Sequence, residues 1–167
     1  MKKVMTGLLV MGLLVVGAFG QAQEKKVAFS LNLGIQTNLW KDTSFDLTQG
    51  TLDLRAGIRI GRSFQISPEL MYVTSHKFHL DYGYIYPGVM LNYVAKNFFI
   101  GAGAVLPIVY GGGESHSGNP APKINVGYIA DHLMLTAYII MWTEHDPYGD
   151  SNFPNFNFIG ATVGYKF

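Results

Sequence analysis

The stretch 155–167, NFNFIGATVGYKF, alternates between two kinds of side chain along most of its length. Ile159, Ala161, Val163, Tyr165 and Phe167 occupy every second position, and Gly, Thr and Lys fill the positions between them. Successive side chains of a β-strand point to opposite faces of the sheet. This period of two therefore predicts a strand with one apolar face and one small or polar face.

Seven earlier segments carry the same signal, so the sequence predicts an all-β chain of eight strands. The other predicted strands are 27–36, 52–61, 64–74, 82–93, 98–110, 123–130 and 133–143. Tight turns at 62–63, 95–97 and 131–132 alternate with longer polar connections at 41–50, 75–81, 111–122 and 144–154. Short turns at one end and long loops at the other are typical of an antiparallel up-and-down transmembrane β-barrel.

Prolines interrupt three of the predicted strands. Pro68, Pro87 and Pro107 each lack the N–H that a paired strand donates. We therefore expect β-bulges at these positions, above all at Pro87-Gly88.

The N-terminus is organised like a cleaved signal peptide. Lys2 and Lys3 precede an apolar stretch at 4–19, and small residues follow at the positions that a signal peptidase reads. We predict a signal peptide at 1–22 and a single barrel domain at 23–167. An uncleaved anchor helix is the alternative, although 4–19 is short for a membrane span.

Charge and cysteine content exclude several classes of protein. The chain has 12 Lys and Arg against 11 Asp and Glu, with no basic patch, which argues against a nucleic-acid partner. Cysteine is absent, so an exported domain of this size is held together without disulfides. Charged residues make up only 14% of the chain, where about a quarter is usual.

The composition of the two strand faces indicates which one meets lipid. The face opposite the apolar one is rich in Gly, Asn, Ser and Thr and poor in charge, which suits a crowded lumen better than a solvated exterior. Gly101 and Gly103 would relieve crowding inside such a barrel. A soluble periplasmic ligand-binding barrel is an alternative, but it would need the apolar face inside and a charged exterior.

The C-terminal strand resembles the assembly signal of bacterial outer-membrane β-barrels, with Val163, Tyr165 and Phe167 at the matching positions. The stretches SPELMY, YIYPGVMLNY and GAGAVLPIVYG also resemble the small OmpA/OmpX-like outer membrane protein beta-barrel domain group. The resemblance implies a monomer in the outer membrane of a diderm bacterium. It also implies contact with outer-membrane lipid and lipopolysaccharide, and with the barrel-assembly machinery through the last strand.

Four charged residues fall on the predicted inner face: Asp53, Arg55, Arg59 and Glu69. A tight turn joins their two strands, so Glu69 is expected within one cross-strand step of Arg55. An eight-stranded barrel is only wide enough for side chains to fill it. We therefore expect these residues to form an interior ion-pair network that plugs the lumen.

The segment 111–120, GGGESHSGNP, is the most enzyme-like part of the sequence. Glu114, Ser115 and His116 are an acid, a nucleophile and a base. The order His116-Ser117-Gly118-Asn119 is similar to the His-x-Ser-Asn motif of outer-membrane lipid A deacylases, one residue out of step. A lipid-modifying enzyme is therefore an alternative function, although a flexible loop is a poor support for a catalytic triad.

Two loops carry histidines at spacings compatible with a metal site. His76 and His79 stand near Asp81, and His145-Asp146 lies in another loop. Exposed histidine pairs are seldom ligands, so we assign no metal, cofactor or catalytic residue. The sequence predicts a non-enzymatic outer-membrane barrel with a structural or surface-interaction role.

Overall fold

The computed structural model describes residues 27–38, 48–74, 82–143 and 155–167. These residues form ten β-strand segments. The segments are β1 Val27–Asn38, β2 Gln49–Ile60, β3 Phe64–Thr74, β4 Tyr82–Ala95, β5 Phe98–Val105, β6 Ile108–Gly111, β7 Glu114–Ser117, β8 Ala121–Ala130, β9 Leu133–Thr143 and β10 Asn155–Lys166. Within the described ranges, no helix is long and apolar enough to cross a membrane.

The ten segments close into one antiparallel barrel of eight strands, because two of these strands are each made of two segments. β1 pairs with β2 on one side and with β10 on the other, so that Leu33 lies opposite both Leu52 and Val163. β3 pairs with β4, which closes the remaining side. β5 and β6 both pair with β4, so together they form one interrupted strand of the barrel. β7 and β8 pair with β6 and β5 and form the next strand. The predicted all-β, eight-stranded up-and-down barrel is confirmed.

Pro68 and Pro87 interrupt hydrogen bonding without adding a residue, so the bulges predicted at Pro68 and at Pro87-Gly88 are wrong. Gly88 lies opposite Val105 and Ile85 lies opposite Ile108, which is one unbroken register with only two unpaired positions on each strand. The Pro87 carbonyl still accepts a hydrogen bond from the Leu106 N–H at 2.8 Å. A missing N–H therefore weakens the ladder here but does not shift it.

The extra residue lies between the next two strands of the barrel, opposite Pro107, where a bulge was predicted. Val105 pairs with Ala121 and Ile108 pairs with Ser117, so two residues, 106–107, face three, 118–120. Such a two-against-three arrangement reverses the face of every later side chain on the longer strand. The bulge thus decides which residues of β7 face the axis of the barrel.

The segment 111–122, predicted as a long polar loop, is mostly a β-hairpin. β6 and β7 pair through four residues each, and the turn between them is Gly112-Gly113, with φ of 60° and 87°. Glycine adopts positive φ at little steric cost, which explains why two glycines hold this turn. The prediction of a loop at 111–122 is wrong because a glycine-rich run is typical of both loops and hairpin turns.

The two faces of the barrel have the polarity that the sequence predicted. Along β1, Ser30, Asn32 and Gln36 are buried while Leu31 and Leu33 between them are exposed. The same alternation continues around the wall, including β10, where Thr162 is buried and Val163 is exposed. A soluble barrel with an apolar interior would require the opposite arrangement.

Glycines make room for the interior side chains. A Cβ added to Gly101 would lie 2.6 Å from the Asn125 Oδ1 atom and would collide with the Asn92 amide. Gly103 faces Lys123 across the β5–β8 pair and would collide with the Met90 side chain. The lumen is therefore close-packed where these two strands meet.

Aromatic rings surround the short-turn end of the barrel on its outer face. Phe64 meets Tyr93 edge-on with ring centroids 5.6 Å apart, and Phe98 meets Tyr128 at 4.9 Å. Tyr165 meets Phe167 at 5.1 Å, next to the barrel seam where the Phe167 N–H donates to the Phe29 carbonyl. Rings at this level are typical of the girdle that marks a membrane interface.

Candidate functional site in the barrel lumen

A charge cluster of Asp53, Arg55, Glu69 and Lys123 lies inside the barrel. Asp53 and Arg55 are two positions apart on β2, and Arg55 pairs directly with Glu69 on β3. The Arg55 Nε atom donates to Asp53 Oδ2 at 2.6 Å and lies 3.4 Å from Glu69 Oε2. The guanidinium therefore joins both carboxylates.

Lys123 reaches the same carboxylate from the other side of the lumen. Its Nζ atom donates to Glu69 Oε1 at 2.6 Å and lies 4.7 Å from the centre of the Tyr138 ring. Arg55 also crosses the lumen, with its Nη1 atom 3.4 Å from Thr136 Oγ1 on β9. The cluster thus connects β2 and β3 with β8 and β9, and its two cations balance its two carboxylates.

Lys123 is the member of the cluster that the sequence reasoning missed. It begins the run Lys123, Asn125, Gly127, which alternates with the apolar Ile124 and Val126. The period of two along β8 is the signal that predicts an inward position for Lys123, as it does for Asn125. All four side chains are nearly or fully buried.

Arg59, expected in the same network, lies outside it. It is on the inner face of β2, but four residues from Arg55, which is about 13 Å along an extended strand. At that level the lumen opens to solvent, and Arg59 is exposed. Its guanidinium lines the mouth of a cavity instead of joining the charge cluster.

Towards the long-loop end, a layer of apolar side chains lies in the lumen. Its members come from β3, β4, β5, β8, β9 and β10 and are nearly or fully buried. They are Met71, Val73, Tyr86, Val105, Ala121, Tyr138, Ile140 and Phe158. Tyr84 and Val109 pack against this layer from above. The polar lumen expected from the sequence therefore holds only for part of its length.

Towards the short-turn end, the lumen opens into a cavity of about 370 Å³, called the vestibule below. Arg55 lies at its floor, and Lys96 and Asp131 from two turns lie at its rim. One wall is polar and includes Ser67 and Asn92. The neighbouring wall consists of apolar side chains: Val94, Phe99, Ile129 and Met134.

The imidazole and hydroxyl groups of β7 do not form a Ser–His pair along the strand. His116 pairs with Val109, whereas Ser115 pairs with Tyr110 and Ser117 with Ile108. Successive strand residues alternate between faces, so His116 points away from both serines. A Ser–His pair requires the two side chains within hydrogen-bond reach of one another.

The histidine pair of the loops, His76 and His79, lies outside the described residues, as do Asp81, His145 and Asp146. Among the residues that are described, no three His, Cys, Asp or Glu side chains come close enough to hold a metal ion. The predicted signal peptide at 1–22 also lies outside them.

Comparison with known proteins identifies relatives of the fold. The structure is similar to Neisserial surface protein A (NspA), with a TM-score of 0.61 and 12% identity, covering 85% of this chain and 96% of that one. It is also similar to the N-terminal β-barrel domain of Pseudomonas aeruginosa OprF, with a TM-score of 0.50 and 10% identity, covering 87% and 100%. Ail, the attachment invasion locus protein of Yersinia pestis, matches at a TM-score of 0.48 and 12% identity, covering 87% and 100%. No protein-family model and no curated protein matches the sequence.

At these identities the likeness establishes the fold alone. A closed antiparallel barrel of eight strands, apolar outside and polar at its centre, is the fold of the small outer-membrane β-barrels.

Proposed function

We propose that this chain is a small, monomeric, non-enzymatic β-barrel of the outer membrane of a diderm bacterium, exported by its signal peptide. In this proposal its long-loop end forms part of the cell surface, and its role is structural or interactive. Outer-membrane lipid and lipopolysaccharide surround the apolar exterior. The barrel-assembly machinery receives the last strand.

The observation that carries the proposal is the apolar exterior. Leu33, Leu54, Leu91, Ile100 and Val126 are between 48% and 58% exposed. Ile100 and Val126 lie on the far side of the barrel from Leu33 and Leu54. Soluble monomers rarely expose contiguous apolar patches beyond a few hundred Å². A band that runs around the whole wall, with charges buried inside, matches hydrocarbon outside the barrel.

The last strand supports the proposed contact with the assembly machinery. Val163, Tyr165 and Phe167 lie on the outer face at the β1–β10 seam, and Phe167 is 71% exposed. An exposed aromatic residue at the closing seam is available to another protein before the barrel closes. Substitution Phe167→Ala should lower the fraction of folded barrel in cells, while Phe98→Ala, an aromatic residue at the same end but far from the seam, should not.

Membrane fractionation followed by gel electrophoresis of unboiled and boiled samples tests the proposal. A closed barrel keeps its hydrogen-bonded ladder in SDS at room temperature, so we expect recovery in the outer-membrane fraction and a mobility shift on heating. Recovery in the soluble periplasm without a shift would overturn the outer-membrane assignment.

The plugged lumen is the second part of the proposal. Support comes from the apolar layer on the long-loop side and from the charge cluster below it, which joins strands on two sides of the lumen. We expect the purified barrel to give no steady conductance in a planar lipid bilayer. A stable open channel in the unmodified protein would contradict the plug without affecting the outer-membrane assignment.

A further inference from the structure

We propose that the vestibule is a binding site for a small water-soluble anion that carries a short apolar tail. The vestibule combines a surplus of cations with a wall of apolar side chains in a cavity of about 370 Å³. Ligand pockets commonly have volumes from about 300 Å³ upwards. This inference goes beyond the structural and surface role proposed above.

The charge balance of the vestibule favours an anion. Arg55 is discounted, because Asp53 and Glu69 already pair with it in the charge cluster. The remaining charged side chains that line the cavity are three cations, Arg59, Lys96 and Lys166, and one carboxylate, Asp131. A partly enclosed site with like charges focuses the electrostatic potential and raises the local concentration of oppositely charged ligands.

The hydrogen-bond donors of the polar wall point to the same class of ligand. Ser67 Oγ accepts hydrogen bonds from Gln65 Nε2 at 2.8 Å and from Asn92 Nδ2 at 2.9 Å. With both lone pairs engaged, the Ser67 hydroxyl retains its own proton to donate. All three residues line the vestibule, and Ser67 is only 2% exposed. A carboxylate or phosphate oxygen is a suitable acceptor for that proton.

The neighbouring apolar wall determines the other end of the ligand. Val94, Phe99 and Met134 are buried and pack together, with Ile129 against them. They come from β4, β5, β8 and β9, so this apolar wall extends over four neighbouring strands. Ile129 is the partly exposed member of this wall, and a short hydrocarbon tail would cover it where a bare inorganic anion would leave it in contact with water.

The entrance lies between the short turns. Lys96 and Asp131 lie in the β4–β5 and β8–β9 turns, and Lys166 is the last residue of β10. The cavity therefore opens at the end of the barrel and not through its lipid-facing wall. In the proposed orientation this is the periplasmic end, so the ligand is a soluble molecule of that compartment.

The test uses three probes of defined chemistry on the folded, isotope-labelled barrel in phosphatidylcholine nanodiscs. Hexanoate has both the charge and the tail, hexylammonium has the tail with the opposite charge, and acetate has the charge alone. We expect hexanoate to shift the amide signals of Gly57, Asn92 and Phe99 saturably, with roughly millimolar affinity for a ligand of this size. Hexylammonium and acetate should each bind about tenfold more weakly or not at all.

Matched variants sharpen the test. The double variant Arg59→Gln/Lys166→Gln removes two lining cations and should weaken hexanoate binding about five- to tenfold. Arg62→Gln removes a cation that is exposed at the same end but does not line the vestibule, and should leave the affinity unchanged. Equal weakening by both would show that general surface charge, and not the vestibule, attracts the anion.

Two further outcomes would overturn the proposal. One is equal binding of hexanoate and hexylammonium, and the other is a hexanoate response confined to outward amides such as that of Leu91. Because these comparisons use the unmodified protein, they decide the matter even if the double variant does not fold. None of them bears on whether the barrel lies in the outer membrane, so failure here leaves that proposal intact.

Discussion

The two halves of the lumen differ in packing and polarity: the long-loop half is packed and apolar, and the short-turn half is open and mostly polar. On the long-loop side, Met71, Tyr86 and Ile140 are completely buried and pack as they would in the core of a soluble protein. On the short-turn side, polar side chains surround an open cavity. Close-packed apolar side chains leave no room for water, whereas a polar wall requires water or a ligand to complete its hydrogen bonds.

The charge cluster forms the boundary between these halves. Several of its polar neighbours, including Asn32 Oδ1, Asn125 Oδ1 and Thr162 Oγ1, have no protein hydrogen-bond partner. Buried polar atoms of this kind are usually satisfied by water. We therefore expect ordered water to extend from the vestibule to the cluster and to stop at the apolar layer.

The largest expected effect comes from removing one member of the cluster. Lys123→Met leaves Glu69 and Asp53 with a single cation between them, and an uncompensated buried charge costs about 3–5 kcal/mol. Urea unfolding of the barrel refolded in lipid vesicles measures the change. The double variant Lys123→Met/Glu69→Gln restores charge balance with Asp53 and Arg55 and should recover most of the loss. If the double variant is no more stable than the single one, the loss does not come from the unpaired charge of Glu69.

The apolar half is tested by two neighbouring isoleucines on opposite faces. Ile140→Ala leaves a cavity in the apolar layer and should lower the free energy of unfolding by about 2–5 kcal/mol. Ile139→Ala removes the same atoms from the outer face, where lipid fills the space, and should cost about 1 kcal/mol. Unfolding of both variants in the same vesicles checks this difference. Equal losses would show that the layer is not close-packed.

The hydrated half should respond less strongly to a deletion. Ser67→Ala removes the acceptor shared by Gln65 and Asn92, but water in the vestibule can replace it. We expect a loss of about 1 kcal/mol in the free energy of unfolding. A loss as large as that of Ile140→Ala would indicate that water does not reach this wall.

The smallest effect is expected at the hairpin. His116→Ala changes an exposed side chain that points away from Ser115 and Ser117. Mass spectrometry of lipid A from cells that express the unmodified protein or the variant should give identical acylation patterns. An acyl chain lost only with the unmodified protein would establish the lipid-modifying activity that we do not propose.

The interior site shows how far the sequence reaches. The spacing of Asp53, Arg55 and Glu69 around one tight turn predicts that they are neighbours, since a hairpin fixes the register of its two strands. Lys123 joins Glu69 from 54 positions away, which depends on how the barrel closes. Arg59 lies on the same face of β2 as Arg55. It stays outside the cluster because it is closer to the open end of the lumen.

What the sequence determined by itself is local: a period of two on each predicted strand, the apolar face of each, and the tight turns that join them. These follow from the geometry of a single strand and from the chemistry of short turns. The tertiary structure alone decided the offset at 118–120, the hairpin of β6 and β7, and the division of the lumen into a packed half and an open half. The hairpin is local, but a glycine-rich run is compatible with a loop as well as with a hairpin turn. The offset and the division of the lumen depend on which strands meet in the closed barrel, because contacts across the lumen join residues whose separation along the chain carries no periodic signal.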